Sequence, residues 1–135
     1  MATFNKINSF VEDIAEKKHN LGSDTLTLFL TNSAPVATNT VLANITQISY
    51  TNLSARTLTV SSSAQTSGTY KLIIADKVLT ATGAVGPFRY YGVYNDTATN
   101  DELICWFDYG SAVSLTAGQT FTIDFDGTEG LLKLV

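Results

Sequence analysis

The chain has 135 residues, 44% of them hydrophobic and only 15% charged, with a formal net charge of -4. That length makes one domain able to bury about two-thirds of its unfolded surface. The acidic balance, a pI near 4.7 and the lack of any Lys/Arg cluster exclude a nucleic-acid or anionic-membrane surface, and a single cysteine excludes an intrachain disulfide.

No apolar run approaches the ~20 residues of a membrane span. The opening residues mix polar Asn5, Lys6, Asn8 and Ser9 with apolar ones, unlike a signal peptide. A soluble protein made in a cytoplasm is expected.

Taken in order, residues 3 to 19 are predicted as one amphipathic helix, with Phe4, Ile7, Phe10, Val11 and Ile14 in its apolar stripe. Thr3 serves as its N-cap, Asp13 can pair with Lys17, and Asn20-Leu21-Gly22 ends it. A strand follows at Thr25 to Thr31, with Leu26, Leu28 and Leu30 on one face and Phe29 interrupting the other. Residues 36 to 52 suit an irregular crossing, with a helical turn near Val41, Leu42 and Ile45. From Arg56 the pattern is β throughout. Thr57 to Ser61 is a strand, Ser62 to Gly68 reads as a flexible polar connection, and 70 to 82 is either two strands or one with a bulge. Short strands at Val113–Leu115, Thr120–Phe125 and Gly130–Val135 complete the chain.

The most informative stretch is the hairpin from Pro87 to Gly110, which holds the only tryptophan and the only cysteine. Alternation places Phe88, Tyr90, Gly92 and Tyr94 on one face and Arg89, Tyr91, Val93 and Asn95 on the other. In the second strand Ile104 and Trp106 oppose Leu103, Cys105, Phe107 and Tyr109. Both faces are apolar. A lone solvated sheet has one polar face, so the helix stripe and a neighbouring subunit are expected to share the cover.

The predicted fold is mainly β: an antiparallel β-sandwich, jelly-roll-like, with one N-terminal amphipathic helix. It forms a single domain over 1–135, the helix at 3–19 and the sandwich at 24–135.

Catalytic chemistry finds little support. His19, the only histidine, reads as a solvated group at a helix end, and its context points away from Cys105. The acidic run Asp124 to Glu129 lacks EF-hand spacing and reads as an Asp-Gly turn. Asn44, Asn52 and Asn95 begin glycosylation-like triplets that read as ordinary polar loops. No catalytic residue, cofactor or metal is expected. The aromatic set Tyr90, Tyr91, Tyr94, Trp106 and Tyr109 suits either a protein contact or sugar stacking.

The stretches Phe4 to Glu12, His19 to Leu26, Leu30-Thr31-Asn32-Ser33-Ala34-Pro35 and Tyr91 to Thr97 resemble small virion proteins encoded among the head genes of tailed bacteriophages. Within that group the chain is most similar to the decoration, or cement, class. The resemblance implies a non-enzymatic homotrimer on the outer surface of the capsid, bridging major capsid protein subunits, without nucleic acid or membrane. Arg89, Tyr91, Val93, Trp106, Phe10 and Ile14 are the residues expected at its oligomer or capsid interface. A glycan-binding virion module and a tail component are the alternatives.

Overall fold

The computed structural model describes residues 2–135. The chain is mainly β, and every strand pairing is antiparallel. Strands β1 (Phe4–Lys6), β2 (Leu26–Thr31), β6 (Val85–Asn95) and β7 (Leu103–Leu115) form a four-stranded sheet in the order β1-β7-β6-β2. Strands β3 (Val60–Thr66), β4 (Thr69–Ile74) and β9 (Leu132–Leu134) form a second sheet, and β5 (Lys77–Thr80) pairs with β8 (Thr120–Ile123) as a ribbon. One hydrophobic core joins all three, with Phe29, Phe88 and Phe107 its largest fully buried side chains.

The expected helix over 3–19 is corrected to a strand and a short helix. Residues Phe4–Lys6 pair with β7, Phe4 opposite Phe107 and Lys6 opposite Cys105, and only α1 (Phe10–Ala15) is helical. Phe4, Ile7 and Phe10 still turn inward, Phe4 half-buried from the strand, Ile7 buried in the connection and Phe10 buried at the start of α1. The otherwise unpaired edge of β7 gives backbone partners at Phe4–Lys6. The helix then ends early. Lys17 takes φ +66, with Lys17 N–H donating to Ile14 O (3.2 Å) and Lys18 N–H to Asp13 O (2.8 Å). This is the Schellman pattern with lysine where glycine is usual. The turn carries Lys17 away, so Asp13 pairs with Lys18 at 3.0 Å.

β2 is buried along its whole length, on both faces. β6 lies on one side of it, and the crossing at 45–58 runs along its other edge. There Ile48 N–H donates to Leu30 O, Leu28 N–H to Arg56 O, and Leu58 N–H to Leu26 O. The Tyr50 hydroxyl accepts from Leu30 N–H at 2.9 Å, and the Arg56 guanidinium lies 3.7 Å from the Tyr50 ring centre while donating to Leu28 O. The outer edge of this strand is thus satisfied from within the chain, and both of its faces are buried.

Two further expectations change. Ser62 to Thr66 is not a flexible connection but part of β3, joined to β4 through Ser67 and Gly68, both at positive φ. That is the signature of a two-residue type I′ turn, and an edge strand needs only its backbone to pair. The alternation in β6 also breaks. Irregular register between Phe88 and Tyr90 puts Phe88 and Tyr91 on the same side, 5.1 and 6.3 Å from the Phe121 ring. A second shift, between Val93 and Tyr94, leaves Ile104 without a partner across the hairpin, so Ile104 and Cys105 are both buried.

Candidate functional site

The six residues expected at an interface do not form one surface. Val93 (0% exposed), Tyr91 (4%) and Phe10 (3%) belong to the core of the single chain. Tyr91 stacks on Phe107 at 5.1 Å, and Val93 lies opposite Cys105 in the ladder. Arg89, Ile14 and Trp106 keep some exposure, Ile14 at the helix and the other two on the hairpin.

Around Arg89 the geometry is well defined. Its Nε and Nη2 donate to the two oxygens of Asp108 at 2.8 and 3.0 Å, a forked pair that favours arginine over lysine. Gly110 N–H also donates to Asp108 Oδ1 at 2.8 Å. The Arg89 hydrogen bonds hold the Asp108 carboxyl below the usual carboxylate range. The guanidinium lies 5.4 Å from the Tyr90 ring centre, and Tyr90 meets Trp106 edge-on at 6.1 Å. The Trp106 indole N–H is buried without a partner. This strip of arginine, tyrosine and tryptophan is the partly exposed aromatic surface of the hairpin.

A second feature was not foreseen. His19 is buried at 7% exposure, not solvated, with its ring 5.4 Å from Phe10. Its Nδ1 meets the side-chain amide of Asn95 at 3.0 Å, and Asn95 Nδ2 also donates to Asp24 Oδ2 at 2.6 Å. Burial lowers the His19 pKa, against the pull of Asp13, Glu102 and Asp24. Beside this knot lies an open cleft of about 900 Å³ between the end of α1, the hairpin tip and β4, lined in part by His19, Glu102, Tyr70 and Leu134. One faint signal was present in the sequence: an asparagine directly after the apolar run Tyr91 to Tyr94. Such a group is kept inside only when fully hydrogen-bonded.

A third feature is a groove of about 390 Å³ between β1 and β9, each an edge strand of its sheet. Phe4, Phe10, Val11, Leu132 and Leu134 line it, with Lys6 and Lys133 beside them. Val11 is 53% exposed and Leu134 39%.

The acidic run at 124–129 resolves into turn chemistry. Asp126 Oδ1 accepts from Thr128 N–H and Glu129 N–H, both at 2.8 Å, and those bonds lower its pKa. Glu129 spans Lys71 and Lys133, which sit opposite each other across β4 and β9. Among the described residues no group of three His, Cys, Asp or Glu side chains is placed to hold a metal ion, and no helix is long and apolar enough to cross a membrane. Comparison of the chain with protein-family models, with curated proteins and with solved structures finds no match.

Proposed function

We propose that the chain is a decoration protein of tailed-bacteriophage heads, a homotrimer on the outer surface of the assembled shell that bridges major capsid subunits and acts by binding alone. The observation that carries this reading is the open apolar groove between β1 and β9, where Val11 and Leu134 face solvent beside Phe4 and Phe10. Exposed apolar side chains set between two strand edges suit a protein contact. The likeness of 4–12, 19–26, 30–35 and 91–97 to phage head proteins gives the partner class. In this reading the two sheets face each other as a sandwich of jelly-roll type, and Phe4, Val11 and Leu134 belong to the contact region. Cementing follows from mass action, because a ligand that binds the assembled shell and not its free subunits stabilises the assembly.

Light scattering on the purified protein should give the mass of three 14.5 kDa chains, and heads carrying it should outlast stripped heads on heating. A monomer at micromolar concentration overturns the trimer. Equal heat resistance with and without the protein overturns the cementing role.

A second reading, a glycan-binding virion module, draws on the half-buried Trp106 edge-on to Tyr90 beside Arg89. Aromatic platforms with polar neighbours suit sugar stacking. Acrylamide quenching of Trp106 that a saccharide suppresses would favour it; quenching unchanged by saccharides and reduced by capsid favours decoration.

A further inference from the structure

We propose that His19, Asn95 and Asp24 form a pH-sensitive clasp, which holds the hairpin tip at 96–101 against the turn at 20–24 and releases it when His19 gains a second proton. The argument rests on the fixed orientation of one amide. Asn95 is fully buried, and its Oδ1 accepts from Thr97 N–H at 3.0 Å and Ala98 N–H at 3.1 Å. Its Nδ2 donates to Asp24 Oδ2, which also accepts from Asn20 N–H at 2.7 Å. Reversing the amide would set its NH2 against two backbone N–H groups and its oxygen against a carboxylate. Asn95 therefore presents a donor to His19, and His19 Nδ1 must accept. The neutral imidazole carries its proton on Nε2, which is buried without a partner.

A second proton can go only to Nδ1, where it faces the Asn95 NH2 at 3.0 Å. The contact becomes donor against donor, and Asn95 cannot turn to relieve it. The groups facing His19 are Asp13 and Lys18 from the α1 end, Asp24 from the turn and Glu102 from the far side of the tip. Asp13 is engaged by Lys18, and Glu102 accepts from Asn100 N–H at 3.2 Å. The three carboxylates favour an imidazolium and burial opposes it more strongly, so protonation is favoured by a movement that admits water. The remaining ties between tip and turn are few: Asp96 N–H to Thr25 O and Thr25 N–H to Thr97 Oγ1, both at 2.8 Å, and a longer one from Thr27 Oγ1 to Asp96. Histidine is the side chain whose titration falls in the range that makes this a switch.

Amide hydrogen exchange, corrected for intrinsic rates, tests the clasp at about pH 7.5 and about pH 5. In the wild-type protein the amides of Thr25, Thr97 and Ala98 should lose protection by about tenfold at the lower pH, while core strand amides keep theirs. His19→Gln, whose side-chain oxygen can accept from Asn95 but not titrate, should keep those amides protected at both. Equal protection at both pH values in the wild type overturns the clasp, as does the same loss in the variant. Nitrogen-15 shifts of the wild-type imidazole give a check that needs no variant: the Nε2–H tautomer is expected at pH 7.5, and the Nδ1–H tautomer would overturn it.

Discussion

The ring of Phe29 on β2 lies directly over Gly92, its partner across the ladder in β6. A Cβ at position 92 would overlap that ring and fall 2.5 Å from Cys105 O. The absence of a side chain at one position is what lets a fully buried phenylalanine sit against the sheet.

Gly92→Ala should therefore destabilise the fold by about 3 kcal/mol, the upper range for overpacking, because backbone lies on one side and a rigid ring on the other. Urea unfolding reads this as a lower midpoint with an unchanged slope. A second change, Phe29→Leu, should recover part of the loss in the double variant. Loss that simply adds would argue against the overlap.

Cys105 is fully buried, and burial pushes its thiol pKa far up. Since the thiolate is the reactive form, a thiol reagent such as Ellman's should leave the native protein untouched. Labelling should follow global unfolding, with the denaturant dependence of the unfolding equilibrium. Rapid labelling of native protein would show that the hairpin opens locally.

On the alkaline side, burial pushes the Tyr91 hydroxyl up to about 12 from its ordinary value of 10.0. The unfolded chain loses that proton first, so this group's contribution is complete below pH 10 and is lost as pH rises toward 12. Tyr50 and Tyr94 are shifted in the same direction, also by burial. Absorbance titration should show tyrosines ionising late, and Tyr91→Phe should remove the last of the steps.

At acid pH the sign is opposite. The folded His19 pKa lies below the ordinary 6.5, with burial as the first cause. Below that value the unfolded chain binds a proton that the folded chain resists, so this contribution is complete above pH 6.5 and declines as pH falls. The urea midpoint should drop between about pH 7 and about pH 5.5 in the wild type, and His19→Gln should flatten that slope. An equal slope in both would assign the effect to carboxylates.

Much of the β architecture was legible because alternation and turn chemistry are local. The strand at Leu26–Thr31 and the Pro87–Gly110 hairpin could each be read from residue order. Other features could not. The spacing of Phe4, Ile7 and Phe10 is helical, and the extension of Phe4–Lys6 rests instead on the free edge of β7, about a hundred residues away. The bulges beside Tyr90 and at Ile104 shift which side chains face inward, and no residue there announces them. The Ser62–Thr66 run looks flexible because its side chains do little, yet an edge strand asks only for backbone. The His19 knot depends on contacts across 71 and 76 residues, and only the asparagine at the end of an apolar run hints at it locally. Of the residues expected at an interface, Val93, Tyr91 and Phe10 went to the core because apolar strand residues look alike whether chain or partner covers them.

The crossing at 45–58 has a consequence for behaviour in crowded solution. It occupies the outer side of β2 with backbone hydrogen bonds, a tyrosine and an arginine, so no foreign strand can add there. A sheet open at one margin and stoppered at the other can take a single added strand pair and then must stop. Cross-β growth through this sheet is self-limiting, and concentrated protein is kept out of fibres on that route.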